Sequence, residues 1–288
     1  MYSDYHRPES LNQAFELMQQ AKGQARYFAG GTDLMVRIKQ GLVQPRTLIS
    51  LRRIGALQGI EQDGTDLVIK SMTLLRDVET DPLVRKQAPV LQQAVASLAN
   101  VQVKNVATLG GNLVNASPAG DSIPPLLVLE AQLVLAGPDK ERILPLTDFF
   151  IGPGQTRLES CEILKAVKIP GQPVQSRAAF TKIGRTAKDL AVVNAAALIQ
   201  LEGSTCSLCR LAAGAVGPVP LRLPEAEAML QGQTIDSGVL EAVQAEVGRT
   251  VSPITDIRAG EAYRRELAGT LIKRSIQKAM GNTLQAME

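Results

Sequence analysis

The 288-residue chain has no tryptophan, a single histidine and three cysteines. Each scarcity removes a class of function. His6 is the sole imidazole and sits close to the chain start, which excludes Ser-His-Asp catalysis, Cys-His catalysis and histidine-based metal sites in any strong form. Cys161, Cys206 and Cys209 are too few for a self-contained iron–sulfur cluster, which needs four thiolates. Their odd number and spacing form no disulfide framework and favour a reducing, cytoplasmic setting. The Cys206-x-x-Cys209 pair lies inside a strand-like run and reads as two buried thiols, not as a redox motif at a strand-to-helix turn. Four tyrosines and five phenylalanines argue against an aromatic platform for sugars or bases. No apolar run reaches the ~18–20 residues that cross a bilayer. The opening MYSDYHRPES lacks the basic-then-apolar pattern of a secretory signal. An excess of one charge is lacking too. Lys plus Arg number 31 against 28 Asp plus Glu, and the scattered net charge of +3 predicts neither nucleic-acid binding nor membrane-surface binding.

What is present suits a globular chain of one to two domains, with 45% hydrophobic and 20% charged residues. Leu11, Ala14, Phe15, Leu17 and Met18 recur at helical spacing, with Ser10 as N-cap and Gly23 as stop. A strand over Ala25–Ala29 follows, then a short helix over Leu34–Lys39 ended by Gly41, and a strand over Thr47–Leu51. The first fifty residues or so thus read as α-β-α-β. Further strands are predicted at Asp66–Lys70, Ala131–Leu135 and Ile163–Ile169, with helices at Leu74–Glu79 and Val90–Leu98 and a helix start near Leu126. The run Pro170–Ser176 is linker-like. Beyond it the pattern predicts strands near Ala178–Lys182, Ala195–Leu201 and Cys206–Ala213. Helices then run from Pro224 to Leu230, Ser237 to Arg249 and Glu261 to Met280, an α+β order.

Two glycine pairs carry the chemistry. Gly30-Gly31-Thr32-Asp33 and Thr108-Leu109-Gly110-Gly111-Asn112 each follow an apparently extended run. Neither matches a Rossmann or P-loop fingerprint. Successive glycines let the backbone approach a ligand and turn several N–H groups into one anion-binding concavity. Two such loops would bracket a diphosphate, with Thr32, Thr108 and Asn112 adding side-chain hydrogen bonds. On spacing alone, each pair equally reads as a tight turn.

The residues around the glycines resemble a known family. Tyr27–Leu34 (YFAGGTDL) is similar to the first FAD-binding segment of the flavoprotein subunits of molybdenum hydroxylases, the xanthine dehydrogenase and carbon monoxide dehydrogenase family. Lys104–Asp121 (KNVATLGGNLVNASPAGD) resembles the second segment, with lysine at 104 where arginine is common. The likeness continues through IGPGQT, EILKAVKIP and FTKIGRTAKDLAVV to DIRAGEAYRREL, over nearly the whole chain. It implies an α+β protein: a two-lobed FAD-binding unit of the vanillyl-alcohol-oxidase (PCMH) type, followed by a smaller α+β C-terminal domain. The expected division is a FAD-binding domain over 1–175, with lobes of about 1–55 and 56–175, and a C-terminal flavoprotein domain over 176–288.

By the same resemblance, Tyr27, Phe28, Ala29, Gly30, Gly31, Thr32, Asp33 and Leu34 wrap the diphosphate and ribityl region of FAD. Thr108, Gly110, Gly111 and Asn112 close on it, and Asp121 bonds its sugar or ribityl hydroxyls. Leu98 makes an apolar contact. The backbone at Ile163 and Leu164 lies at the polar edge of the ring, and Lys182 approaches the ring. No catalytic residue and no metal ligand is expected on this chain. The implied function is electron transfer. A large subunit carries the molybdenum cofactor, and a small subunit carries 2Fe–2S clusters that pass electrons to this FAD and on to an acceptor such as NAD. The alternative is a free-standing flavin oxidoreductase with its own substrate. Several residues have plainer readings from the sequence. Asp33 and Asp121 would cap helices, Asn112 would hold its own turn and Lys182 would be a surface strand residue. Arg185 and Lys188 would be solvated, and Arg258, Tyr263 and Arg264 would tie down the last helix.

Overall fold

The computed structural model describes residues 4–281. The N-terminal part is a β-α-β-α-β unit: β1 (Asp4–His6), α1 (Leu11–Gln20), β2 (Ala25–Phe28), α2 (Leu34–Lys39) and β3 (Thr47–Ser50). Ser10 Oγ accepts from the Gln13 amide at 3.3 Å and starts α1. Ala14, Phe15 and Met18 form the helix's buried stripe. Gly23, at φ +83°, supplies the left-handed turn that leads into β2. The strands are parallel in the order β1-β3-β2. The sequence pattern opens this unit at α1. The structure adds β1, whose three exposed residues, His6 among them, show no alternation to read.

Next come β4 (Ile60–Asp63), β5 (Asp66–Lys70), β6 (Gln132–Ala136), β7 (Glu141–Pro145) and β10 (Ile163–Ile169). They form an antiparallel sheet in the order β4-β5-β10-β6-β7. A small hairpin, β8 (Phe150–Gly152) with β9 (Gln155–Thr156), stands apart from it. Between β5 and β6 the chain makes six short helices: α3 (Leu75–Thr80), α4 (Pro82–Gln87), α5 (Pro89–Ser97), α6 (Val101–Lys104), α7 (Leu109–Val114) and α8 (Ile123–Val128). The extended run expected before the second glycine pair is therefore corrected. Asn100 Oδ1 caps the Val103 amide at 2.9 Å and turns Val101–Lys104 into helix. Gly110 and Gly111 fall within the first turn of α7.

The last sheet has the order β11-β12-β13-β14, from β11 (Arg177–Gly184), β12 (Ala191–Glu202), β13 (Thr205–Gly214) and β14 (Leu221–Arg222). Helices α9 (Pro224–Leu230), α10 (Ser237–Thr250) and α11 (Glu261–Ala279) follow. Strand β12 is buried on both faces from Ala191 to Ile199, which is why that stretch is apolar apart from Asn194. Ala196 and Leu198 join the core shared with α5, α8 and β10. Val193, Ala195, Ala197 and Ile199 join the core under α10 and α11. The C-terminal sheet thus packs apolar face to apolar face on the preceding unit, and any cleft between the two has rigid walls. Cys206 and Cys209 are buried in β13. Arg264, buried in α11, donates to the carbonyls of Val192 at 3.0 Å and Ala215 at 3.3 Å, tying that helix to the sheet. No helix among the described residues is long and apolar enough to cross a membrane.

Candidate functional site

The first glycine segment leaves β2 and enters α2. Gly31 has φ +79°, and a Cβ there would lie 2.7 Å from the Phe28 ring, so only glycine makes this turn without strain. A Cβ on Gly30 would lie 2.2 Å from the Val106 carbonyl oxygen and 2.8 Å from Ala107 Cα. The first segment is therefore pressed directly against the lead-in of the second. Among the described residues, no protein acceptor takes the amides of Gly30, Gly31, Thr32 or Asp33. Asp33 stands at the N-cap position of α2 but makes no cap bond. Its Oδ1 accepts from Asn115 Nδ2 at 3.2 Å and its Oδ2 from Thr32 Oγ1 at 3.1 Å, so it joins the two segments instead. Arg52 Nε donates to the Ala29 carbonyl at 3.3 Å and braces the loop from outside.

The second segment is built differently. Thr108 Oγ1 accepts from the Gly111 amide at 3.0 Å and caps α7. The Gly110 amide goes to the Ser71 carbonyl at 2.8 Å and the Asn112 amide to the Thr108 carbonyl at 3.0 Å. The expected pair of matching amide concavities is corrected: the amides of Gly110, Gly111 and Asn112 are already spent on protein acceptors. Gly110 is glycine for packing, since its Cβ would sit 2.5 Å from Ser71 Cβ. Asn112 Oδ1 accepts from Ser122 Oγ at 2.6 Å, not from its own turn. Lys104, buried beside Glu79 at 2.8 Å, anchors the lead-in.

A cleft of about 680 Å³ runs between the two segments and on to the loop that joins β11 to β12. That is within the size range of small-molecule and cofactor sites. Every site residue expected from the sequence lines it except Phe28 and Lys182. Tyr27, Ala29, Gly30, Gly31, Thr32, Asp33 and Leu34 form one wall. Thr108, Gly110, Gly111, Asn112 and Asp121 form another. Leu98, Ile163 and Leu164 supply apolar surface. Phe28 turns away and meets Tyr5 edge to face, with ring centroids 6.2 Å apart. The structure does not bring Lys182 to the cleft surface. Nor is it a surface strand residue, because its Nζ bonds Asp121 Oδ2 at 2.5 Å with both side chains buried.

The titratable groups on the walls are held in place. Asp121 accepts on its other oxygen from Asn194 Nδ2 at 2.7 Å. Burial pushes the Asp121 carboxyl up, and Lys182 and Asn194 offset this only in part, so the net shift stays upward. Glu162 is gripped by Arg142 through two bonds of 2.7 and 2.8 Å, which hold it below the usual carboxylate range. Tyr27 donates its hydroxyl to the Cys161 carbonyl at 3.2 Å, and burial raises its phenol. Lys188, Asp189 and Leu190 close one end, with Lys188 Nζ on the Ala96 carbonyl at 2.8 Å.

Sequence reasoning missed Ser71, Arg26, Arg37 and Asn115, all on the cleft wall. Ser71 is buried and its hydroxyl has no protein partner. Arg26 and Arg37 have no carboxylate partner among the described residues. Arginine after a strand start, or serine after a strand end, is too ordinary to be a signal. Free amides, guanidinium groups without a carboxylate partner (Arg26 donates to the Ala25 carbonyl at 2.9 Å) and an orphan hydroxyl on a partly apolar cleft are a donor set that fits a flavin dinucleotide with its diphosphate. Among the described residues no group of three or more His, Cys, Asp or Glu is placed to hold a metal.

Comparison with known proteins gives the same picture. Residues 1–172 match the family described as FAD binding domain in molybdopterin dehydrogenase. Residues 178–279 match the CO dehydrogenase flavoprotein C-terminal domain. The carbon monoxide dehydrogenase medium chain of Hydrogenophaga pseudoflava is 32% identical over 279 residues, covering 96% of each chain. A putative xanthine dehydrogenase FAD-binding subunit of Escherichia coli (strain K12) is 33% identical over 283 residues, covering 97% of this chain and 96% of the relative. The solved carbon monoxide dehydrogenase from Hydrogenophaga pseudoflava that lacks the Mo-pyranopterin moiety superposes with a TM-score of 0.96 at 31% identity, over 98% of each chain.

Proposed function

Because the chain belongs to the family of FAD-binding subunits of molybdenum hydroxylases, we propose that it relays electrons from the 2Fe–2S clusters of a small partner subunit to an external acceptor such as NAD. The hydroxylation itself occurs at the molybdenum cofactor of a large partner subunit, and the assembly is cytoplasmic. The protein is an oxidoreductase component and its cofactor is FAD. Bound FAD supplies the exchange between one-electron and two-electron chemistry that such a relay needs.

In this reading residues 1–175 hold the cofactor, in lobes of about 1–55 and 56–175, and residues 176–288 form the C-terminal flavoprotein domain. The chain's own residues bind and orient. The free amides of Gly30–Asp33 take the diphosphate, with Arg26 and Arg37 adding positive charge. Thr108 fixes the second segment, and Ser71 adds a hydroxyl. Asp121, an acceptor, takes sugar or ribityl hydroxyls. Leu98 would make an apolar contact with FAD, and the backbone at Ile163 and Leu164 would meet the polar edge of its ring. No proton-transfer role falls to the cleft's single tyrosine, because the Tyr27 hydroxyl is engaged by Cys161. The cleft carboxylates Asp33, Asp121, Glu162 and Asp189 are each engaged by protein donors as well, which speaks against the free-standing oxidoreductase, since that needs a free base over the flavin.

The observation that carries the proposal is the contact of Gly30 with Val106 and Ala107, which brings two distant glycine segments onto one cleft. The test is purification with untagged partner subunits, followed by flavin absorption, metal analysis for molybdenum and iron, and stopped-flow reduction with each candidate acceptor. A yellow complex whose flavin is reduced through the iron–sulfur subunit is the expected result. A chain that ignores FAD at micromolar concentration refutes the reading. Substrate turnover by the purified chain alone would favour the free-standing enzyme.

A further inference from the structure

The carboxylate of Asp121 is unusual in that the polar groups holding it come from the other domain. Asp121 lies between α7 and α8, at the base of the cleft, and is 3% exposed. Lys182 of β11 reaches it at 2.5 Å and Asn194 of β12 at 2.7 Å, from 61 and 73 residues away. The same Asn194 amide also contacts the Ala119 carbonyl at 3.4 Å. Asn194 is fully buried, and a Cβ on Gly214 of β13 would sit 2.3 Å from its Oδ1, so that side chain has one place to go. Neither Lys182 nor Asn194 lines the cleft.

We propose that Lys182 and Asn194 are positioning residues: working from behind, they keep Asp121 ionised and aimed so that it accepts hydroxyls of the bound FAD, and the cofactor site is incomplete without the C-terminal sheet. This rests on the FAD reading above and deepens it. The chemistry is that of an acceptor-only group. An ionised carboxylate whose two oxygens each take one protein donor has its remaining lone pairs left for ligand hydroxyls. Burial favours the protonated form, in which part of the acceptor becomes a donor, and the Lys182 and Asn194 contacts oppose that shift. Lys182 is the charged group that contacts it. From β12 the neutral Asn194 faces it, and from α8 the neighbouring Ser122 hydroxyl is committed to Asn112.

The test is a titration of the full-length apo-chain with FAD, followed by quenching of flavin fluorescence, at several pH values from about 6 to 9. Wild type, Lys182→Met, Lys182→Arg and Asn194→Ala are compared, each checked for fold by circular dichroism. Wild type should bind with a flat pH profile. Lys182→Met should bind at least about tenfold more weakly at neutral pH, with affinity recovering as pH rises and Asp121 ionises. Lys182→Arg should restore both affinity and flatness, a rescue that a merely structural lysine would not show as a pH profile. If Lys182→Met does not fold, Asn194→Ala carries the test, with a several-fold loss expected. Wild-type affinity and a flat profile in a folded Lys182→Met or Asn194→Ala chain overturn the proposal. A wild-type chain that does not bind FAD at all overturns the reading beneath it, which is a distinguishable failure.

Discussion

Gly30→Ala tests the convergence of the two glycine segments most directly. Gly30 is not in the left-handed region, so alanine brings no backbone strain, and its effect is purely steric. The new methyl would stand 2.2 Å from the Val106 oxygen, 2.9 Å from Val106 C and 2.8 Å from Ala107 Cα. A carbon–oxygen contact relaxes only near about 3.3 Å, so the segments must part by about 1 Å. The obstacle is backbone, which cannot swing aside as a side-chain tip would. Overpacking of this kind costs about 1–3 kcal/mol. The larger consequence is for the ligand, since parting the segments would forfeit about two amide hydrogen bonds to the charged diphosphate, at about 1.5 kcal/mol each on the order of a hundredfold in affinity. FAD affinity should fall by that order. The stabilisation that saturating FAD gives the fold should then shrink by about 2.7 kcal/mol. The assay is a fluorescence titration beside thermal melts with and without FAD. Gly55→Ala is the control, because nothing lies within 4 Å of its added methyl. If Gly30→Ala binds FAD within about threefold of wild type and melts alike, the segments do not meet as described here and the cofactor site must be drawn elsewhere.

Three further outcomes follow from the same geometry. Lys182→Met leaves Asp121 buried without its ion pair and should destabilise the fold by about 3–5 kcal/mol; the double variant with Asp121→Leu should cost clearly less than the sum, read from urea midpoints. Thr108→Ala removes the cap on α7 and should cost about 0.5–2 kcal/mol and weaken FAD binding, checked by melts and titration. Burial pushes the Asp256 carboxyl up, but the Arg258 and Ala259 amides and the Arg264 guanidinium outweigh this and bring it from 3.8 to about 2. Its contribution, of order 1 kcal/mol after solvent screening, is present above about pH 4 and lost as pH falls toward 2. Asp256→Asn should therefore flatten the acid limb of the stability profile between those values, and an unchanged limb would refute the assignment.

The longer elements were legible because their periodicity is strong. The buried stripe of α1, the alternation of β5 and the length of α10 and α11 each name their element. The elements that escaped lack that signal. β4 and β7 are edge strands with mostly exposed or half-buried residues. α6 is four residues long and owes its form to the Asn100 cap more than to any pattern. Most of the cleft was legible through the wording of its two glycine segments. Ser71, Asn115 and Asn194 were not, because each is an ordinary polar residue locally and gains meaning only from a contact across the fold. Lys182 was singled out as approaching the ring, and the structure pairs it with Asp121. Its charge is spent on Asp121, one layer behind the surface it was expected to face.

The two glycine pairs look interchangeable on paper, and the structure separates their work. At Gly30–Asp33 the amides have no protein acceptor, so the segment holds unspent hydrogen-bonding capacity on a cleft wall. Gly30, Gly31 and Thr32 are half-buried and Asp33 is exposed, so these donors are open to a ligand that enters the cleft. At Gly110–Asn112 the amides are all used, and the glycines serve contact distance: Gly110 lies on Ser71, and a methyl at Gly111 would come within 2.9 Å of Thr108 Oγ1 and 3.6 Å of Ala29 Cβ. One segment therefore supplies donors and the other supplies a rigid, close-fitting wall. Asp33 and Asn115 lock the two together, and Asp121 with its two supports from the C-terminal sheet closes the base. In the proposed reading the cofactor would draw on support from β2 through β12, so loss of the C-terminal sheet is expected to loosen the dinucleotide site by removing Lys182 and Asn194 from behind Asp121.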